Sequence, residues 1–144
     1  MVDVRELLTH PVVLAPMGGG PSTPALVAAG AAAGAFGFLA AAYKKAAELR
    51  DEVDAIRRAT PSPFGVNVFV PGKPTSTVEA LSTYLARLRH DGYELGEPAW
   101  DDDDWDAKID VLLETRPAAV SFAFGAPPSE LVEAFHEADV AVGA

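Results

Sequence analysis

Cysteine is absent from this chain of 144 residues, and basic residues are scarce. Without cysteine, neither a disulfide framework nor thiolate chemistry is available. Only 11 Lys and Arg stand against 21 Asp and Glu, which gives a formal net charge of −10 at pH 7. This charge argues against nonspecific binding to nucleic acid, which depends on basic patches. We therefore expect no nucleic-acid partner.

The chain also lacks an uninterrupted apolar run of the kind that crosses a membrane. Residues 11–43 carry no charge, but Pro16, Pro21, Pro24 and several glycines interrupt them, and much of the remainder is weakly apolar alanine. A buried strand, a helix and a second buried strand explain this run better, because parallel strands that are covered on both faces are apolar throughout. The first residues are mixed in charge and lack the basic start and apolar core of a signal peptide. These features predict a cytoplasmic protein with no membrane partner.

Hydrophobic residues make up 49% of the sequence and charged residues 22%, which is typical of a globular domain with a buried core. The pattern of apolar residues predicts alternating strands and helices. The predicted strands are residues 12–15, 35–39, 64–70, 118–124 and 140–142. The predicted helices are residues 24–33, 46–59, 75 or 76 to 90, 104–114 and 129–139. This order predicts a parallel sheet with right-handed crossovers.

Two α/β architectures are compatible with this order of elements. One is the first half of a TIM (β/α)₈ barrel, with about four βα units and the start of strand five, since a complete barrel needs roughly 200 residues or more. The other is a complete flavodoxin-like doubly wound sheet, which would place strand two, and not strand one, at the edge. A half-barrel would leave the edge of strand one unpaired. A noncatalytic chain that associates with itself or with a partner is therefore an alternative to an enzyme.

A glycine-rich loop after the first predicted strand is the feature around which the chain is organised. Residues 12–15 form an apolar run, Pro16 ends it, and residues 18–20 are three glycines, followed by Ser22 or Thr23 as a helix cap. The dinucleotide fingerprint G-x-G-x-x-G is not met. Glycines leave backbone that a flat ligand can approach closely, and strand ends of this kind hold ligands in α/β proteins. A purely structural turn is the alternative.

Asn67 is the one polar side chain in the otherwise apolar third strand. Strand alternation places it on the same face as Gly65 and opposite Val66 and Val68, and the glycine leaves room beside it. A carboxamide offers two donors and an acceptor, which suits the edge of a uracil-like ring. An outward or edge position for Asn67 is the alternative.

The remaining polar clusters predict neither catalysis nor metal binding. Residues 101–104 are four consecutive aspartates, whose side chains point in different directions and suit a solvated helix N-terminus better than a cation site. His10, His90 and His136 are scattered, and none has a second histidine or an acid at metal-ligand spacing. We therefore assign no catalytic residue and no metal ligand within the chain.

Four segments carry a pattern that extends over nearly the whole chain. They are residues 14–24, residues 37–40 ahead of Tyr43, residues 63–71 and residues 120–127. In this order they resemble the nitronate monooxygenase family, formerly called 2-nitropropane dioxygenase. The resemblance implies a TIM barrel that carries noncovalent FMN at the C-terminal ends of its strands. It also implies oxidation of an alkyl nitronate, which molecular oxygen completes to a carbonyl compound and nitrite.

The resemblance also implies roles for individual residues. In that family an Ala-Pro-Met element lies along the isoalloxazine, and an asparagine on strand three hydrogen-bonds the flavin. The implied cofactor-binding residues are Ala15, Pro16, Met17 and Asn67. A Ser-Phe-x-Phe-Gly element borders the active site, which implies Ser121 and Phe122 as substrate-pocket residues.

The family's catalytic histidine lies in a Gly-Gly-His element after strand five, and its phosphate-binding glycine loops lie further on. None of the chain's histidines lies in such an element. We therefore expect residues 1–144 to be the N-terminal half of a family member, a single incomplete FMN-binding domain. Alone, this chain would bind FMN poorly and have no turnover.

Overall fold

The computed structural model describes residues 4–73 and 76–143. Within them, a 3₁₀ turn (Val4–Leu7) precedes five strands and five helices. The strands are β1 (Val13–Leu14), β2 (Phe36–Ala40), β3 (Gly65–Phe69), β4 (Ala119–Ala123) and β5 (Ala141–Gly143). The helices are α1 (Pro24–Ala32), α2 (Ala46–Ala59), α3 (Val78–His90), α4 (Trp105–Thr115) and α5 (Ser129–Glu137). Each predicted strand and helix is present, with its ends shifted by three residues at most.

The described strands form one parallel sheet in the order β1-β2-β3-β4-β5. A flavodoxin-like sheet has the order 2-1-3-4-5, so the flavodoxin-like alternative is wrong. Sequential order with a helix after each of β1 to β4 is the arrangement of a (β/α)₈ barrel, and β1 stands at the edge as that prediction requires.

The uncharged run at residues 11–43 folds as β1, α1 and β2, as predicted. The Thr23 hydroxyl caps α1 by accepting from the Leu26 N–H at 3.2 Å, and Gly34, with φ of 84°, follows the end of the helix. Within the part of the chain that the structure describes, no helix has both the length and the apolar character for a membrane crossing.

The cap of α3 differs from the prediction. The Thr77 hydroxyl accepts from the Ala80 N–H at 3.2 Å, so Thr77 is the cap in place of Ser76. Thr75, the other predicted cap, lies outside the described residues. The helix therefore begins at Val78, one residue later than it would with Ser76 as its cap.

The main core lies between one face of the sheet and the helices. Val66 and Val68 of β3 are buried there, as the predicted alternation requires, and they pack with apolar residues of the helices. In α2 the buried residues recur at spacings of three and four, which is why its bounds were predicted correctly. These buried α2 residues are Ala46, Leu49, Val53 and Ile56.

The other face of the sheet, here called the inner face, carries a smaller cluster. Phe36 and Phe38 of β2 meet edge to face, with ring centroids 5.3 Å apart, and pack with Ala119 and Ala141. Gly65 is paired with Phe38 across the strands, and a Cβ at Gly65 would lie 2.3 Å from the Phe38 ring. Glycine is therefore required at this position by the ring of its neighbour.

Candidate functional site

The loop after β1 is held in shape by one buried hydroxyl. Ser22 is buried, and its Oγ accepts from the Met17 N–H at 2.7 Å and lies 3.5 Å from the Ala15 carbonyl, to which it donates. The Ser22 N–H donates back to the Met17 carbonyl at 3.4 Å. The sequence had offered Ser22 or Thr23 as a cap for α1. The structure divides the two roles, with Thr23 capping the helix and Ser22 fixing the loop.

The glycines of this loop present bare backbone. Gly19 and Gly20 have φ of 79° and 121°, and no heavy atom lies within 4 Å of a Cβ placed on either. Gly18 packs closely, since a Cβ there would lie 3.3 Å from Ala42 and 3.4 Å from the Tyr43 ring. The loop after β1 therefore lies against the loop after β2, with open space above its two outer glycines.

Asn67 is buried on the inner face of the sheet, 7% exposed. Its Nδ2 donates to the Ser121 Oγ at 3.0 Å and to the Ser121 carbonyl at 3.2 Å. A backbone carbonyl only accepts, so the amide nitrogen must face Ser121 and the Oδ1 of Asn67 must point away from β4. The outward or edge position that the sequence left open for Asn67 is thereby ruled out.

The segment after β1 and Asn67 lie at the same end of the sheet. Leu14, the last residue of β1, pairs with Gly37, and a Cβ on Gly18 would lie 3.3 Å from Ala42, which follows β2. Ala40, the last residue of β2, pairs with Asn67. Residues 15–17 and the Asn67 carboxamide therefore lie toward the same end of the sheet, on strands that are separated only by β2.

Ser121 and Phe122, the two weaker candidates, lie on opposite faces of β4. Ser121 contacts Asn67 on the inner face. Phe122 is buried on the helix side, with its ring centroid 6.0 Å from Trp105 and 6.2 Å from Phe135. Only Ser121 shares a surface with Asn67.

The aspartate run proves to be partly structural. Asp103 Oδ1 accepts from the Tyr43 N–H at 2.8 Å, and Asp104 Oδ2 accepts from the Ala46 N–H at 2.7 Å. The run precedes α4 and its first two carboxylates are exposed, as predicted for a solvated helix N-terminus, but Asp103 and Asp104 also anchor the loop between β2 and α2, which was not predicted. Among residues 4–73 and 76–143, no group of three or more His, Cys, Asp or Glu is placed to hold a metal ion.

Lys108 is a buried cation that the sequence analysis missed. Its side chain is 0% exposed, and its Nζ lies 2.8 Å from Asp103 Oδ2. A buried charge of this kind needs a partner, which explains why Asp103 turns inward. The sequence pattern of α4 could have indicated the burial of Lys108, because Lys108 lies four residues before buried Leu112 and therefore on the same helix face.

A cavity of about 550 Å³ opens beyond the C-terminal ends of β2, β3 and β4. Three rings line it, and we call Tyr43, Phe69 and Phe124 the aromatic wall. The centroid of Phe69 is 5.7 Å from that of Tyr43 and 4.7 Å from that of Phe124, both edge to face. Residues 101–103 line another part of the cavity. Neither Tyr43 nor Phe124 was assigned to the site from the sequence, although Phe124 lies in the Ser-Phe-x-Phe-Gly element and Tyr43 follows residues 37–40.

A family model described as "Nitronate monooxygenase" matches residues 3–144. The chain belongs to the nitronate monooxygenase family. A "Probable nitronate monooxygenase" of Staphylococcus aureus (strain JH9) is 31% identical over 139 residues, which are 92% of this chain and 39% of that protein. Its counterpart from strain N315 gives the same values. The chain thus spans about two fifths of the length of these relatives.

Two solved structures are similar in fold to this chain. A crystal structure of nitroalkane oxidase from Streptomyces ansochromogenes has a TM-score of 0.89 and 40% identity, over 96% of this chain and 41% of that one. FabK from Thermotoga maritima has a TM-score of 0.64 and 25% identity, over 96% of this chain and 35% of that one. The predicted α/β fold of the TIM-barrel type is confirmed.

Proposed function

We propose that this chain forms the N-terminal part of an FMN-dependent enzyme that oxidises alkyl nitronates with molecular oxygen to a carbonyl compound and nitrite. The observation that carries the proposal is the position of residues 15–17 and Asn67, which lie toward the same end of the sheet on strands separated only by β2. Gly19 and Gly20, which follow residues 15–17, have open space over their backbone. Family membership supports the choice of reaction, and the activity of the whole protein remains part of the proposal.

The residues present suit a flavin. In the proposed complex, Ala15, Pro16 and Met17 would lie along the isoalloxazine. The Ser22 hydrogen bonds hold these residues in an exposed loop, and the glycines that follow them leave the loop free of bulky side chains. The Oδ1 of Asn67 accepts from the ring edge, and Ser121 fixes the rotamer that aims it. The flavin itself supplies the electron transfer from nitronate to oxygen. Ser121 is the substrate-pocket residue that we retain from the sequence.

No base for the reaction is assigned to this chain. His90 lies at the end of α3, where its Nδ1 is 3.3 Å from the Asp91 carboxylate, and His136 lies in the last turn of α5. His10 packs near Gly34, before β1 begins. Among the described residues, these histidine side chains are not part of the cavity lining, and the hydrogen bonds of the Asn67 side chain go to Ser121. We therefore propose that the chain positions the cofactor and the substrate. We also propose that residues 1–144 form a single incomplete domain and that the protein is cytoplasmic.

Association is the second candidate function, and the edge of the sheet favours it. Val12 and Val13 are 52% and 47% exposed at β1, which is the edge strand of the sheet that the described residues form. An exposed apolar strand edge pairs readily with another chain. Sedimentation of the purified chain separates the candidates, because a monomer near 15 kDa at high concentration would remove the case for self-association.

The proposal is tested by completing the fold. The chain is fused to the part of the Streptomyces ansochromogenes nitroalkane oxidase that lies outside the matched region. The fusion is expected to bind FMN and to release nitrite from an alkyl nitronate, whereas the chain alone binds FMN weakly and releases none. Asn67→Ala in the fusion should weaken FMN binding by roughly tenfold, the cost of about one buried hydrogen bond.

The matched control is Ser82→Ala, a polar-to-alanine change at an exposed position of α3. It should leave FMN affinity and nitrite release unchanged. A folded fusion that binds no FMN, or an Asn67→Ala fusion that binds it as tightly as the parent, would overturn the proposed site.

A further inference from the structure

The aromatic wall has a surface that the flavin site does not account for. Neither Asn67 nor residues 15–17 line the cavity that Tyr43, Phe69 and Phe124 enclose in part. Tyr43 is 76% exposed and Phe124 is 83% exposed, although their rings meet through Phe69. Exposed aromatic rings that cluster around a cavity of several hundred cubic ångströms are typical of a ligand site.

The two exposed rings are held at an energetic cost. Tyr43 and Phe124 have φ of 63° and 68°, in the left-handed region that bulky residues rarely adopt. Strain of this kind persists where the surroundings enforce it and clusters at ligand sites. At Tyr43 the enforcing group is Asp103, which accepts from the Tyr43 N–H and is itself paired with buried Lys108. The fold thus holds this ring against the cavity.

The lining of the cavity carries charges of both signs. Asp101, Asp102 and Lys45 are exposed there, whereas Asp103 and Lys44 are each paired with an opposite charge that does not line it. The charges therefore do not orient a nitronate, and the inference depends on the three rings, which are the largest apolar groups of the lining.

We infer that the aromatic wall binds the hydrocarbon part of the substrate, so that the enzyme favours nitronates with a chain of several carbons over the smallest ones. The inference rests on the proposed function for the nitronate, but the apolar site itself does not depend on flavin. A cavity of about 550 Å³ is large enough for a ligand well beyond a three-carbon nitronate. Each methylene buried against the rings should tighten binding by about threefold to fourfold.

The chain carries its own reporter for this site. The Trp100 indole N–H donates to the carbonyl of Gly72, which lines the cavity, at 3.1 Å. Trp105, the second of the two tryptophans, packs against Phe122 on the helix side of the sheet. In ¹⁵N-labelled protein the two indole signals therefore report on the cavity and on the core separately.

The experiment titrates the full chain, without FMN, with 1-nitropropane, 1-nitrohexane and 1-nitrooctane, and in parallel with the alcohols of the same lengths. The expected result is a shift of the Trp100 indole signal with an unmoved Trp105 signal, and an affinity that rises with chain length in both series. Phe124→Ala should flatten this dependence on length. Tyr84→Ala, which removes an exposed ring of α3 outside the cavity, should preserve it.

Affinities that do not depend on chain length, an unmoved Trp100 signal, or an undiminished dependence in Phe124→Ala would each overturn the inference. Phe124→Leu is the second variant, since it keeps an apolar side chain and should retain more of the length dependence than Phe124→Ala. If only the flavin site were wrong, the fusion would be inactive but the affinity of the chain would still rise with ligand length. The two proposals can therefore be refuted independently.

Discussion

The ammonium group of Lys108 lies 2.8 Å from the carboxylate of Asp103, and the Lys108 side chain is completely buried. The same carboxylate accepts from the backbone N–H of Tyr43, 60 residues away in the sequence. One ion pair therefore joins α4 to the loop after β2, at the border of the cavity. The arrangement makes the loop geometry depend on a charge that water does not reach.

Breaking this pair from one side should destabilise the fold strongly. Asp103→Asn leaves the Lys108 charge buried without a partner, and we expect a loss of about 3–5 kcal/mol in the free energy of unfolding. Lys108→Met removes the charge, and the double variant should recover much of the loss from Asp103→Asn. Urea unfolding measures all three. Lys45→Met, the same change at an exposed lysine, should be close to neutral. If Lys45→Met changed the free energy of unfolding as much as Lys108→Met does, burial of Lys108 would not be the cause.

Gly65→Ala should destabilise the sheet because the added Cβ would lie 2.3 Å from the Phe38 ring. Such overpacking costs about 1–3 kcal/mol, which thermal or urea unfolding detects. Gly72→Ala is the matched control, since a Cβ there meets no atom within 4 Å and its backbone is not left-handed. Phe38→Ala in the Gly65→Ala background should relieve the clash. If Gly65→Ala and Gly72→Ala had equal stability, the close approach would be refuted.

Ser22→Ala should loosen the loop that we assign to the flavin. It removes the acceptor of the Met17 N–H, a partly buried hydrogen bond, and should cost about 1 kcal/mol. The specific readout is hydrogen exchange at the Met17 amide, which should become faster. Thr23→Ala removes the neighbouring helix cap and should cost about 1 kcal/mol without changing exchange at Met17. Unchanged Met17 exchange in Ser22→Ala would show that Ser22 does not hold the loop.

The Arg50–Glu114 pair between α2 and α4 should give a small, salt-sensitive dependence of stability on pH. A side-chain hydrogen bond from Arg50, then its positive charge, lowers the pKa of Glu114 from its ordinary value of 4.5. The pair therefore stabilises the fold above that value, and the stabilisation is lost as the pH falls through the lowered pKa of the folded state. Both groups are at the surface, so the effect is weak and screened by salt.

An NMR titration of Glu114 tests this directly. In Arg50→Ala the pKa of Glu114 should return towards its ordinary value, and in the parent protein 1 M NaCl should move it the same way. A Glu114 pKa that is identical in the parent and in Arg50→Ala would contradict the assignment.

The positions of the elements could be predicted because they depend on local pattern. The spacing of buried residues defines α2, and the alternation around Asn67 defines which side of β3 faces inward. The strand order could not be predicted in the same way, since it depends on the long-range neighbour of β3, which is β2 in a half-barrel and β1 in a flavodoxin-like sheet. The residues alone left both architectures open, and only the resemblance favoured the barrel.

The site was predicted where it depends on residue type and missed where it depends on distant contacts. Asn67 stood out as a carboxamide in an apolar strand, but its partner Ser121 lies 54 positions away. Lys and Asp are residue types that usually lie at the surface, so only the folded structure shows that Lys108 and Asp103 form a buried pair. Phe122 was grouped with Ser121 by resemblance, although adjacent residues of a strand point to opposite faces.

The central claim is that the first and third strands direct Met17 and Asn67 at one flavin. Asn67 is the only asparagine of the sequence and glutamine is absent, so its side-chain NH₂ signals are unique in a ¹⁵N spectrum. The most direct measurement titrates the chain with excess FMN and follows the Asn67 side-chain amide and the Met17 backbone amide. The account predicts that both shift together with one weak affinity. FMN that moves neither signal, or moves only residues elsewhere, would contradict it.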